Sequence, residues 1–130
     1  MKFESLREYL LNKRGSYEDF PFGPSVIVFK VMGKMFALVP LDETSPRINL
    51  KCDPELALHL REAYESVLPG YHMNKRHWNT VILDGPMPDS DLMAMIDDSY
   101  ELMVNGLKKA DRLKLENVYI LCIMVTLLGF

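Results

Sequence analysis

Two periods of hydrophobic and polar residues run through this chain. Phe3, Leu6 and Leu10 recur at helical spacing, with Glu4, Arg7 and Glu8 between them. Lys13-Arg14-Gly15 closes that helix: cations suit the negative end of its dipole, and glycine suits a left-handed cap. Ser16–Ser25 is rich in turn formers and reads as a loop. The period then drops to two. Over Val26–Val31, Ile27, Phe29 and Val31 share one face, and Val26, Val28 and Lys30 share the other. Met32-Gly33 reads as a tight hairpin turn into a second strand, Met35–Val39. After a loop over residues 40–46, Arg47–Lys51 is a third strand. Ile48 and Leu50 point one way; Arg47, Asn49 and Lys51 point the other.

Helical spacing returns at Asp53, a capping residue followed by Pro54 and Glu55. Leu56, Leu60, Ala63 and Val67 form its expected buried stripe, and Pro69-Gly70 ends it. Trp78–Leu83 reads as a strand and Asp84–Ser90 as a turn. A long helix is expected from Ser90 to about Lys109, with Leu92, Ile96, Met103 and Leu107 on its apolar face. The order helix, three strands, helix, strand, helix predicts an α+β domain. Its antiparallel sheet is expected to carry the helices on one face. One domain over residues 1–114 and an apolar C-terminal extension over 115–130 are the expected organisation.

Composition narrows the classes. Hydrophobic residues make up 48% and charged residues 25%, ordinary globular usage that excludes disorder for most of the chain. A formal net charge of −3 argues against whole-protein attraction to nucleic acid or anionic membrane, so such binding needs a local basic patch. Cys52 and Cys122 show no paired spacing, which points to free thiols in a reducing cytoplasm rather than a disulfide framework or zinc ribbon. The charged N-terminus is unlike a signal peptide, and no run reaches the roughly 18 apolar residues of a membrane span. A cytoplasmic protein is expected.

Gly70–Val81, "GYHMNKRHWNTV", is the densest chemistry, with two of the three histidines, the only tryptophan and a Lys-Arg pair. His72 and His77 stand five apart across loop and strand, poor spacing for a metal site. Cys52 precedes a helix N-terminus, where a thiolate is stabilised, but no catalytic motif surrounds it. There is no nucleophile elbow and no phosphate-binding glycine loop. No metal or cofactor is expected, and a non-catalytic role is favoured over an enzymatic one. Lys30, Arg47 and Lys51 occupy polar strand phases, Lys34 lies beside the hairpin turn, and Lys75-Arg76 lies in the motif. If those strands are neighbours, the cations gather into one phosphate-binding surface. The competing reading is a soluble sheet face whose charges deter edge pairing. Tyr71 and Trp78 suit either stacking on a ligand or packing at a core margin.

"PGYHMNKRHWNTV" (Pro69–Val81) closely resembles the signature of the MmcQ/YjbR family. "FPFG" (Phe20–Gly23), "GKMFAL" (Gly33–Leu38), "INLKCDPE" (Ile48–Glu55) and "SYEL" (Ser99–Leu102) appear in that family's order. The likeness covers about residues 1–113. It implies a CyaY-like, frataxin-like fold and a DNA-binding role through a double wing of β-hairpins. Its motif positions here are Lys34, Lys51, His72, Met73, Asn74, Lys75, His77, Trp78 and Asn79. It brings no catalysed reaction. For an iron-binding ridge, the first helix offers only Glu4 and Glu8.

The family pattern ends near Lys108–Lys114, whereas this chain continues with an apolar, β-branched run to Phe130. That run is expected to pack as an extra strand on the domain or on a partner; the alternatives are a short membrane-touching tail and a shifted reading frame at the gene's end. The leading expectation is a DNA-binding protein, monomeric or oligomeric through this tail. Lys34, Lys51, Lys75 and Arg76 would contact phosphates, and His72, Asn74 and His77 would add hydrogen bonds. One alternative is a module for a protein or small anion, with Tyr71 and Trp78 as pocket walls and Lys75 holding the anion. Another is an enzyme or metal protein using His72 and His77.

Overall fold

Alternation along the strands decides which side of the sheet receives the helices. The computed structural model describes residues 1–41 and 44–128, apart from the side chains at 118, 119 and 122, so the Cys122 thiol lies outside the described residues. The elements are α1 (Phe3–Leu11), β1 (Ser16–Asp19), β2 (Val26–Val31), β3 (Lys34–Pro40), β4 (Arg47–Lys51), α2 (Pro54–Ala63), β5 (Val67–Pro69), β6 (Trp78–Ile82), α3 (Asp89–Asn105) and α4 (Lys109–Leu128). The strands form one antiparallel sheet in the order β1-β2-β3-β4-β6-β5. Ile27, Phe29, Val31, Ile48 and Leu50 meet Leu6 and Leu10 of α1 and the apolar side of α3 in a single core. Leu92, Ile96, Met103 and Leu107, expected on that side, are all buried. Full burial of a side chain such as Phe29 contributes about 1.5–3 kcal/mol.

Two segments differ from the sequence expectation at the edges of the sheet. Ser16–Asp19, read as loop, is edge strand β1, paired with β2 from Ser16↔Val31 to Asp19↔Val28. Val67–Pro69, read as the end of α2, is the opposite edge strand, β5. Asp53 does cap α2, accepting from the Glu55 N–H at 3.1 Å, and Pro54 opens it. The helix stops at Ala63, however, and Tyr64 is already extended. Its inward side is therefore Ala57 and Leu60. Leu56 and Ala63 of the expected stripe are exposed, and Val67 is buried through the sheet instead.

As far as Leu128, the C-terminal run forms a helix, not the expected strand. α3 stops at Asn105, a turn follows, and α4 begins at Lys109. Leu115 of α4 is buried in the core against Gly15, whose φ of +72° and lack of a Cβ both permit that approach. Beyond Leu115 the described apolar side chains, Leu121 and Leu127 among them, are exposed. Among the described residues, no helix is long and apolar enough to cross a membrane.

The middle of the sheet carries an unusual joint. The β2–β3 register shifts by one residue after Phe29, leaving Phe36 as the extra residue of a bulge whose side chain enters the core. β3 pairs directly with β4 only at Ala37↔Leu50 and Leu38↔Asn49. At the next rung, the buried Ser99 hydroxyl of α3 accepts from the Lys51 N–H at 2.9 Å and donates to the Phe36 carbonyl at 2.6 Å. A helix side chain thus supplies the bond the strands lack. Beside it, Tyr100 packs edge-on against Phe36 and donates to the Arg14 carbonyl at 2.6 Å. Removing the hydroxyl strands a buried carbonyl, which costs about 1–3 kcal/mol. Ser99→Ala is therefore expected to lower unfolding stability by that amount in urea, with an unchanged slope. A loss below about 0.5 kcal/mol, the usual range of surface substitutions, would show that the joint is dispensable.

Candidate functional site

The sheet face turned away from α1–α3 is partly covered by the segment that carries the densest chemistry. Register places Val26, Val28, Leu38, Asn49, Lys51, Trp78 and Thr80 on this face. Val28, Leu38 and Trp78 form a small second core, with Met35 and Met73 packed against it. Trp78 is thus a packing residue, 7% exposed, whereas Tyr71 is 55% exposed.

The connection from β5 to β6 is built mostly from its own polar groups. Gly70 donates to the Trp78 carbonyl at 2.9 Å, and a Cβ on it would come within 2.8 Å of Trp78 atoms. The Tyr71 N–H donates to the Thr80 hydroxyl at 3.0 Å, and that hydroxyl donates to Asn49 Oδ1. Asn74 closes the turn: Oδ1 accepts from the Arg76 N–H at 3.0 Å, and its carbonyl accepts from the His77 and Trp78 N–H groups. The His77 carbonyl accepts from the Cys52 N–H at 2.8 Å. Arg61 of α2 ties the segment from the helix side, donating to Asn79 Oδ1 at 2.7 Å and to the Lys75 and Trp78 carbonyls. Nothing in the helical pattern of α2 singled out Arg61. Its signal was a lone arginine in the helix, four residues after the buried Ala57 and next to Leu60.

The predicted site residues divide into two groups. Lys34 opens β3, Lys51 closes β4, and Lys75-Arg76 precedes Trp78, the partner of Lys51, so all four lie at one end of the sheet. Lys34 Nζ donates to the Gly106 carbonyl at 2.7 Å, at the negative end of α3, and remains exposed. Among the described residues, none of these four joins an ion pair. Other cations do: Lys30 with Asp19 at 2.7 Å, Arg7 with Glu18, and Lys13 with Asp97. Asn74 and the half-buried His77 accompany the four at the sheet end. His72 does not; it lies over the open sheet face with Tyr71 and Met73, beside Phe22, Arg47 and Asn49, around a cavity of about 310 Å³. His72 has a φ of 59°, uncommon for a residue with a Cβ. Among the described residues, no cluster of His, Cys, Asp and Glu suits a metal.

The Cys52 thiol is pushed up to about 11, first by burial and then by Asp98 and Asp53. The helix N-terminus beside it does not produce a thiolate near neutral pH.

The YjbR family model matches residues 11–102. The uncharacterised Escherichia coli K12 protein YjbR is 38% identical over 112 residues, covering 86% of this chain and 95% of its own. The uncharacterised protein YbdF of E. coli O157:H7 is 44% identical over 93 residues, covering 72% and 76%. Among solved structures, Deinococcus radiodurans DR2400, of domain DUF419, is 40% identical with a TM-score of 0.80, over 87% of this chain and 86% of that one. A Pseudomonas syringae protein is 32% identical with a TM-score of 0.70, over 79% and 99%.

The raised Cys52 pKa makes a kinetic prediction. Only the thiolate attacks a disulfide reagent, so at pH 8 Cys52 should react roughly a hundredfold more slowly than an ordinary thiol. The rate should rise with pH until about pH 11. A Cys122→Ser variant isolates it; reaction at the rate of a small-molecule thiol would contradict the buried placement.

Proposed function

The chain belongs to the YjbR family, and we propose that it is a non-catalytic DNA-binding protein that engages the phosphate backbone with one end of its sheet. The supporting observation is that Lys34, Lys51, Lys75 and Arg76 all lie at that end of the sheet, outside any ion pair among the described residues. Charges already neutralised by a carboxylate release few counterions on binding, whereas unpaired ones release theirs from the DNA. The net charge of −3 makes such a local patch necessary. The Met32-Gly33 turn and the Asn74–His77 turn also lie at this end, which fits a double-wing reading in which two hairpin tips flank the duplex. Lys34 is steadied by the end of α3. Asn74 shapes its own turn, and His77 is half-buried, so both position the cations more than they read bases.

Four phosphate contacts give a salt slope of about −3 to −4, or roughly a hundredfold loss of affinity between about 50 and 200 mM salt. Anisotropy titration of a labelled duplex measures this. The Lys51→Gln/Lys75→Gln/Arg76→Gln variant should flatten the slope by about three units and weaken binding to all sequences alike. Absence of binding at low salt, or a variant that binds like the parent, would overturn the reading.

A further inference from the structure

The cavity over the open sheet face is separate from the basic end and does not rest on the DNA-binding reading. Its volume of about 310 Å³ falls at the small end of ligand sites, roughly 300–1,000 Å³, and suits one or two rings. Its sides are aromatic. Phe22 and Tyr71 are 61% and 55% exposed, costly surface for side chains of this size unless something covers them. The His72 ring lies against Tyr71, centroids 3.9 Å apart at 48°, and the left-handed backbone at His72 helps set that pair.

The polar groups that β4 contributes to the cavity are donors. Arg47 is half-buried; its Nε is held by the Ser45 carbonyl at 3.3 Å, which leaves the outer edge of the guanidinium for a ligand. Asn49 is oriented by a chain of bonds. The Thr80 hydroxyl already accepts from the Tyr71 N–H, so its own proton goes to Asn49 Oδ1. The Asn49 NH2 group is thereby left to the other side of the amide. No carboxylate among the described residues lines the cavity.

We propose that this cavity binds a small aromatic or heteroaromatic carboxylate. The ring lies between Phe22 and the Tyr71–His72 pair, and the carboxylate meets Arg47 and the Asn49 amide. A fork of guanidinium donors matches a carboxylate in geometry as well as charge. This assigns the anion to Arg47 rather than to Lys75, and Trp78 packs with Val28 and Leu38 instead of lining the cavity.

The test uses benzoate, indole-3-carboxylate and 2-naphthoate, each beside its uncharged carboxamide. Thermal shift and calorimetry measure affinity, and amide NMR spectra map the site. At least one carboxylate should bind saturably, ten-fold or more tighter than its amide, with shifts at Arg47, Asn49 and residues 71–73. Arg47→Gln should remove that preference, and Tyr71→Ala, at an exposed position, should weaken both partners ten-fold or more while the fold persists. The Lys51→Gln/Lys75→Gln/Arg76→Gln variant should bind unchanged, which separates this site from the DNA-binding surface. Equal affinity for acid and amide, no binding of any of the three acids, or parent-like binding by Arg47→Gln and Tyr71→Ala would overturn the proposal.

Discussion

The Ser99 hydroxyl completes the rung between Phe36 and Lys51 that β3 and β4 do not make directly. The sheet can be viewed as two ribbons, β1-β2-β3 and β4-β6-β5, meeting at a seam of two paired residues. A seam that short would let the ribbons pivot. Ser99 adds two hydrogen bonds to it from a helix that packs on β2, β3 and β4 together. Both proposed surfaces straddle the seam. At the sheet end, Lys34 belongs to one ribbon and Lys51, Lys75 and Arg76 to the other. Across the cavity, Phe22 precedes β2, whereas Arg47, Asn49 and Tyr71 come from the second half. In this account the spacing of the proposed contact groups depends on a hydroxyl on the far side of the sheet from the cavity.

The Gly70–Val81 motif spends most of its polar chemistry on itself. Gly70, Asn74, Asn79 and Thr80 hold the turn and clip it to the sheet, Trp78 fills the second core, and Arg61 secures it from α2. What remains directed outward is Tyr71 and His72 over the open face and Lys75 and Arg76 at the end. One connection therefore contributes to both proposed surfaces. A site carried on such a connection retains its geometry without a ligand to organise it.

Elements with a buried face were legible in the sequence because burial writes a period into it: Leu6 and Leu10 in α1, Ile27 and Phe29 in β2, Leu92 and Ile96 in α3. The edge strands were not. Ser16–Asp19 has no apolar alternation, and Val67–Pro69 is three residues long and ends in proline, so only pairing with a distant strand defines either. α4 misled in the other direction. Its β-branched residues favour a strand, but propensity is weak against a helix already begun at Lys109 and anchored by Leu115 at Gly15. At the candidate site the family motif was readable, but not which cations share the proposed surface: of those grouped in sequence, Lys30 pairs with Asp19 and Arg47 lies by the cavity. Lys30 and Lys34 look alike in sequence, yet one meets Asp19 and the other a helix end. That distinction is tertiary.

The central claim is that DNA meets the end of the sheet, not its face or the helices. Titrating isotope-labelled protein with a short duplex and following backbone amides tests it directly. The account predicts salt-sensitive shifts concentrated at Lys34, Lys51 and residues 74–77, with α1 and the outer side of α3 unmoved. Shifts centred on any other surface, or none at low salt, would contradict it.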